Sequence, residues 1–158
     1  MQNARLKILQ AMPIFGGVDE ATLNFILDDA DRTEVKTGEF FFREGDQDNS
    51  VYVLEQGSVA VYRHWQDHRY KLRELGEGDC FGEMALMDFQ PRSAEVVATE
   101  NASAIQVSAV QLAKLYERNP EQYTMIYMNL GREVCRRLRE ADKRLFIHAI
   151  TGSSDEGN

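Results

Sequence analysis

From residue 32 to residue 108 the chain consists of brief β-prone runs separated by turn residues, and no other feature limits its fold as strongly. The runs fall near 32–37, 39–43, 51–55, 58–65, 69–75, 80–82, 93–99 and 102–108, about eight strands. Gly38, the GDQDN stretch after Glu44, Gly57, Gln66 with Asp67, the GEGD at 76–79 and Asn101 supply the breaks. Gly, Asn and Asp end strands because they tolerate positive φ or bond to their own backbone. Many short strands at even spacing predict an antiparallel barrel or jelly roll.

Helical patterns flank this block. Residues 3–30 read as helical, with Asp19 a candidate N-cap for a helix carrying Leu23, Ile26 and Leu27 on one face. Ser108 with Gln111 has the form of a capping box, and Asn119, Pro120 and Gln122 mark a second helix start with Pro in the first position. The last helix is expected from about Pro120 to Ala149. The fold class is therefore α+β: an eight-stranded antiparallel jelly-roll barrel at about 31–108, with N-terminal helices and C-terminal helices at about 109–149, the last of them long. At 158 residues this makes one domain, 1–150, followed by a polar tail at 151–158.

Composition decides three points. No apolar run approaches the roughly 20 residues of a spanning helix. Arg5, Lys7 and Gln10 interrupt the N-terminus where a secretory signal needs an unbroken apolar stretch, so no membrane association and a cytoplasmic location are expected. A net charge of −8 and a pI near 4.9 argue against a broad nucleic-acid surface, where phosphate neutralisation dominates binding. A single phosphate is another matter, because one Arg and a few backbone N–H groups hold it whatever the global charge. Cys80 and Cys135 lack CxxC spacing and are expected to be ordinary buried thiols.

In the last helix Tyr127, Gly131, Val134, Leu138, Ala141, Leu145 and His148 recur at alternating intervals of 4 and 3, the pattern of a coiled-coil seam. It predicts a homodimer through this helix; packing on the protein's own barrel is the other explanation. The same helix carries Arg132, Arg136, Arg137, Arg139, Lys143 and Arg144. Glu133 with Arg137 and Glu140 with Arg144 are i,i+4 partners, so a solvated, internally paired face is expected.

The chemistry concentrates between Phe81 and Ala94, FGEMALMDFQPRSA. Gly82 permits positive φ or close backbone approach, and EMALM is a helix-forming stretch whose first N–H groups lack intrahelical partners. Arg92 follows Pro91, which restricts the preceding backbone, so its guanidinium projects from a fixed base and can fork onto two phosphate oxygens. A carboxylate at Glu83 repels phosphate but can accept from a ribose 2′-hydroxyl beside it. Ser93 offers a further hydroxyl. The set fits a cyclic sugar phosphate; the plainer alternative is a Glu83–Arg92 ion pair near a turn.

The stretch 76–94, GEGDCFGEMALMDFQPRSA, resembles the signature of the cyclic nucleotide-binding domain family: FGE, two or three apolar positions, a short gap, then PR, a small residue and Ala. VYVLEQGSVAV at 51–61 resembles that family's central strand pair around a glycine, and Gly45 with Asp46 resembles another of its turns. The resemblance covers essentially the whole chain. It implies a regulatory, non-enzymatic module whose ligand is cAMP or cGMP, with no further cofactor and no metal. By resemblance, Gly82, Glu83 and Arg92 hold the ribose and cyclic phosphate, the backbone at Met84 and Ala85 assists, and the Ser93 hydroxyl reaches the phosphate or base. The last helix would fold over the base as a lid and pass occupancy to a dimer partner or a separate effector protein.

Two departures from the family pattern stand out. CRRLREADKR at 135–144 aligns with the family's base-reading region, which puts Ala141 and Asp142 where hydroxyl residues contact adenine. Arg137 remains as a candidate contact, and Asp142 can accept from the N1–H and amino group of guanine; family frequency favours cAMP, and Asp142 makes cGMP a competitor. After the last helix only TGSSDEGN follows, without the helix-turn-helix of transcription-factor relatives, so no DNA binding is expected.

An enzyme is not expected. His64, His68 and His148 form no H-x-H with a following Glu, as a metal-dependent barrel enzyme would need, and no Ser-His-Asp or Cys-His signature stands out. The alternative is a degenerate member of the same fold, used for dimerisation or docking, with nucleotide binding weak or lost.

Overall fold

The computed structural model describes residues 2–153. It opens with α1 (Gln2–Gln10), a 3-10 turn (Pro13–Phe15) and α2 (Glu20–Asp29). Eight strands follow: β1 (Asp31–Val35), β2 (Phe40–Phe42), β3 (Ser50–Gln56), β4 (Val59–Trp65), β5 (His68–Leu75), β6 (Cys80–Phe81), β7 (Glu95–Ala98) and β8 (Ala102–Ser108), with α3 (Glu83–Asp88) between β6 and β7. α4 (Ala109–Arg118) and α5 (Pro120–Ser153) close the described chain. All strand pairings are antiparallel. The ladders form two four-stranded sheets, β1-β8-β3-β6 and β2-β7-β4-β5, rather than one closed barrel. The two-residue β6 pairs with β3 and ends its sheet.

Three layers result, and β3 explains why. Val51 and Val53 face the helices, where they join Leu9, Phe15, Leu23, Leu112, Ile126 and Leu130. Tyr52 and Leu54 face the other sheet, against Phe42, Val59, Phe81 and Val96. A strand buried on both faces reads as a continuous apolar run, SVYVL, without alternation. β8 repeats the division, with Ile105 and Val107 toward the helices and Ala102 and Ala104 between the sheets.

The helix starts follow the caps expected from sequence. Asp19 Oδ1 accepts from the Thr22 N–H at 2.8 Å, and Ser108 with Gln111 forms the reciprocal capping box. Asn119 Oδ1 accepts from the Gln122 N–H at 3.2 Å. The β4–β5 connection turns on Gln66 and Asp67 alone, both at positive φ, as a tight hairpin requires.

α5 has two unlike halves. In the first, Ile126 and Leu130 are buried, and Asn129 Nδ2 donates to the Ile14 and Gly16 carbonyls. The stripe that packs on the domain is therefore Ile126, Leu130, Glu133 and Arg137, beside the predicted seam rather than on it. The seam's outer positions are open: Leu138 is 59% exposed and Leu145 67%. Cys135, expected to be buried, is exposed because it lies on the far side of this helix, while Cys80 is buried as expected. The expected i,i+4 pairs do not form: Glu133 pairs with Arg136, while Arg137 and Arg144 turn inward to other partners. No helix among the described residues is long and apolar enough to cross a membrane.

Candidate functional site

A cavity of about 310 Å³ lies between β4, β5, β7, the segment from Gly82 to Ala94 and Arg137 of α5. That volume is in the range of small-molecule sites. Its floor is apolar, with Val61, Leu75 and Val96, and its polar groups converge from the cassette and from α5.

Gly82 shapes the entrance to α3. Its φ is +83°, and a Cβ there would stand 2.5 Å from Arg92 Nη1 and 3.0 Å from the Ser50 carbonyl oxygen. Conformation and space both demand glycine, so the two readings of this residue hold together.

Arg92 is 3% exposed and bound on three sides. Nη1 donates to the Gly82 carbonyl at 2.8 Å; Nη2 donates to Asp48 Oδ2 and the Ser50 carbonyl, each at 2.8 Å. The guanidinium stacks 4.1 Å over the Phe42 ring. Burial opposes ionisation of Asp48, but hydrogen bonds from Arg92 and Ser50 and the Arg92 charge outweigh it and hold the carboxyl below its ordinary value. Burial, and then the Asp48 charge, push the Tyr52 hydroxyl up to about 12. A guanidinium has five N–H donors, and these contacts occupy three. Nε is buried without a partner.

Glu83, 4% exposed, pairs with Arg137 rather than with Arg92. Arg137 also donates to the Cys80 carbonyl, so the cassette and the long helix are joined by one partly buried guanidinium. Burial favours the neutral form of Arg137, yet Glu83 leads the charges that hold it above its ordinary value. The same carboxylate, after burial, helps push the Cys80 thiol up to about 11.

Of the residues singled out in the sequence, Gly82, Glu83, Met84, Ala85, Arg92, Ser93 and Arg137 all line the cavity. Ser93 is exposed, with its hydroxyl 4.0 Å from Met84 Sδ. Asp142 is exposed and off the cavity wall. It follows Arg137 by five residues, about 140° around the helix, so when Arg137 faces the cassette Asp142 faces away. Ala141, one turn after Arg137, is half-buried and also absent from the wall.

Two participants escaped the sequence reading. Asp48 lies in the GDQDN break, where it looks like turn chemistry alone. Arg73 lines the cavity from β5, and its signal is a charge with the strand parity of Leu75. Burial, and then the nearby Arg137 charge, lower Arg73 from its ordinary value. Among the described residues no group of three or more His, Cys, Asp or Glu is placed to hold a metal ion.

Comparison with known proteins agrees with this geometry. A family model described as the cyclic nucleotide-binding domain matches residues 32–119. The cyclic AMP receptor protein of Thermus thermophilus is 31% identical over 138 residues, covering 87% of this chain and 62% of the relative. The cAMP-dependent protein kinase regulatory subunit of Yarrowia lipolytica is 29% identical over 121 residues, 77% of this chain and 31% of the relative. A cyclic nucleotide-binding domain from Methylobacillus flagellatus superposes with a TM-score of 0.81 at 22% identity, covering 90% of this chain and 81% of that one, a likeness of fold. The chain thus spans less than two thirds of the length of these curated relatives. With the family match running through the cassette and both sheets, the chain belongs to the cyclic nucleotide-binding domain family.

Proposed function

We propose that the cavity binds a 3′,5′-cyclic nucleotide, cAMP or cGMP, and that occupancy is transmitted through α5. One observation carries the reading: Arg92 lines the cavity, is 3% exposed, and keeps two N–H donors without partners, Nε among them. A buried cation with idle donors suits an anion entering from the cavity. Glu83 supplies the acceptor for the ribose 2′-hydroxyl, the first-turn N–H groups of Met84 and Ala85 assist at the phosphate, and Ser93 adds a hydroxyl. The protein acts in the cytoplasm as a regulatory module, not as an enzyme.

Transmission follows from a shared carboxylate. Glu83 holds Arg137, so a ribose hydroxyl arriving at Glu83 changes the hold on α5. The output half of α5 exposes Leu138 and Leu145 on the predicted seam, and we assign these to a homodimer contact. A separate effector protein then reads the helix position.

The second reading, a degenerate docking module, draws on the same contacts: Arg92 and Glu83 already have internal partners in Asp48 and Arg137. Calorimetry with cAMP and cGMP separates the two. The proposal expects saturable binding that Arg92→Ala weakens by about 2 to 5 kcal/mol, the cost of truncating one side of a buried charge pair. Near-native affinity in that variant refutes the assigned pocket, and no heat at millimolar nucleotide supports the docking reading. Sedimentation across concentrations tests the dimer; a monomer at tens of micromolar refutes it.

A further inference from the structure

The β4–β5 hairpin outruns the sheet that carries it. β7 pairs with β4 from Val59 to Tyr62, so beyond Tyr62 the hairpin is a ribbon of two strands, closed by Gln66 and Asp67. Register sets Trp65 opposite His68 and Arg63 opposite Tyr70, and the side-chain period of two puts all four on one face. Trp65 and Tyr70 are both more than half exposed, and neither belongs to a core cluster. Rings left in water add little to the stability of so short a ribbon, whereas Trp, Tyr and Arg are the residue types that dominate binding energy at protein interfaces.

Charge narrows the choice of partner. Residues 63–71 carry Arg63, Arg69 and Lys71 against Asp67 alone, a net of +2 in a chain of −8, so the remainder bears −10. Lys71 is closed by Glu74 at 2.6 Å. Arg63 Nη2 stands 3.8 Å from Glu44 and Arg69 Nη1 3.7 Å from Glu95, both beyond hydrogen-bonding distance, so these guanidinium groups keep donors for another acceptor. A broad anionic surface, whether membrane or nucleic acid, meets the acidic remainder as well as the ribbon and is repelled. One extended acidic segment meets the ribbon alone.

We infer that the hairpin tip is the docking surface for an acidic, extended segment of the effector protein, with Trp65 and Tyr70 as its apolar anchors and Arg63 as its charge contact. The inference rests on the reading above that a separate effector protein takes up the signal. Arg69, on the opposite face of the ribbon, adds to the local positive field. Position suits the task as well: Val61, Arg63, Leu72 and Arg73 of the same two strands line the cavity, so the ribbon is rooted in the ligand site. Arg144 of α5 donates to the Leu72 carbonyl, so the ribbon and the helix whose position the effector reads touch at that root.

The test titrates the full chain with a short peptide of alternating Glu and Val, which when extended sets its carboxylates on one side and its apolar groups on the other. Trp65 is the only tryptophan, so its emission reads the tip directly. Saturable binding with a blue shift of that emission, weakened by rising salt, is expected. Followed by anisotropy of the labelled peptide, Trp65→Ala, Tyr70→Ala and Arg63→Gln should each lower affinity about tenfold or more, the loss on truncating one anchor of an interface. All three residues are exposed, so these variants leave both cores intact. No binding of the acidic peptide at millimolar concentration, equal binding of the matching Lys and Val peptide, or unchanged affinity in all three variants overturns the inference. Tighter binding of phosphatidylserine vesicles or of single-stranded RNA overturns it too, as does self-association that Trp65→Ala abolishes, which makes a second copy the occupant. Nucleotide titration of Trp65→Ala and Tyr70→Ala keeps the readings apart: nucleotide binding without peptide binding overturns this inference alone, and peptide binding without nucleotide binding upholds it and removes the pocket assignment alone.

Discussion

Replacing Arg137 by Met removes the guanidinium that joins the cassette to α5 and leaves its stem volume in place. Glu83 is then a buried carboxylate with no cation, and the Cys80 carbonyl loses its donor. The Arg137 and Glu83 side chains are 13% and 6% exposed, so solvent screens the pair little. Breaking a buried pair from one side costs about 3 to 5 kcal/mol. For a domain of this size that is a fall in Tm of about 6 to 20 °C. Trp65, the single tryptophan, is 68% exposed at the hairpin tip and reports poorly on the core, so far-UV circular dichroism in a urea titration is the assay. The midpoint should drop with little change in slope. Adding Glu83→Gln removes the stranded charge, and the double variant should be more stable than the sum of the singles by about 2 kcal/mol. A loss below about 1 kcal/mol in Arg137→Met, or strictly additive singles, refutes the assignment of this pair as the tie between cassette and helix.

Gly82→Ala forces a side chain into the left-handed region and against Arg92 Nη1, and should cost about 2 kcal/mol or more; a melting curve overlying the wild type contradicts this. Thiol labelling with Ellman's reagent near pH 8 should find one fast group per chain, Cys135, while Cys80, buried and pushed up to about 11, reacts only on unfolding; two equally fast thiols would count against the packing of β6. Because Asp48 is held below its ordinary value, the Asp48–Arg92 pair contributes fully above the unfolded carboxyl value near pH 4 and fades as pH falls through the lower folded value. Asp48→Asn should therefore flatten the acid side of the Tm–pH profile below about pH 4, and an unchanged profile excludes the pair as a source of acid sensitivity.

The sequence was most informative where one residue type has one physical use. Asp19, Ser108 and Asn119 marked helix starts because a side-chain acceptor beside orphan N–H groups has little else to do. The glycines and Asn101 marked the strand breaks, and Gly82 and Arg92 marked the segment that lines the cavity. Partners distant in sequence were illegible. Asp48 is 44 residues from Arg92, and Glu83 is 54 from Arg137. Local spacing instead suggested Glu133 and Glu140 as the acidic partners on α5. That rule weighs only neighbours on one helix surface: buried Glu133 pairs with Arg136 instead, and Arg137 and Arg144 reach Glu83 and the Leu72 carbonyl on other elements. Sheet closure was hidden for a similar reason, since strand count says nothing about which edges meet.

The turn of α5 about its own axis accounts for both the missing base contact and the open seam. Arg137 and Arg144 lie seven residues apart, nearly two full turns, so both reach back to the domain, one to Glu83 and one to the Leu72 carbonyl. This orientation fixes every other position. Leu138 and Leu145, one residue further on in each case, are turned about 100° outward and stay exposed. Asp142 is turned further still. A rotation that brought Asp142 to the cavity would carry Arg137 off Glu83 and strand a buried charge, at the cost worked out above for Arg137→Met. The helix therefore cannot read the base through Asp142 and hold the cassette through Arg137 within one chain. A ligand can shift the helix only by binding one arrangement better than the other, and the group common to both is Glu83.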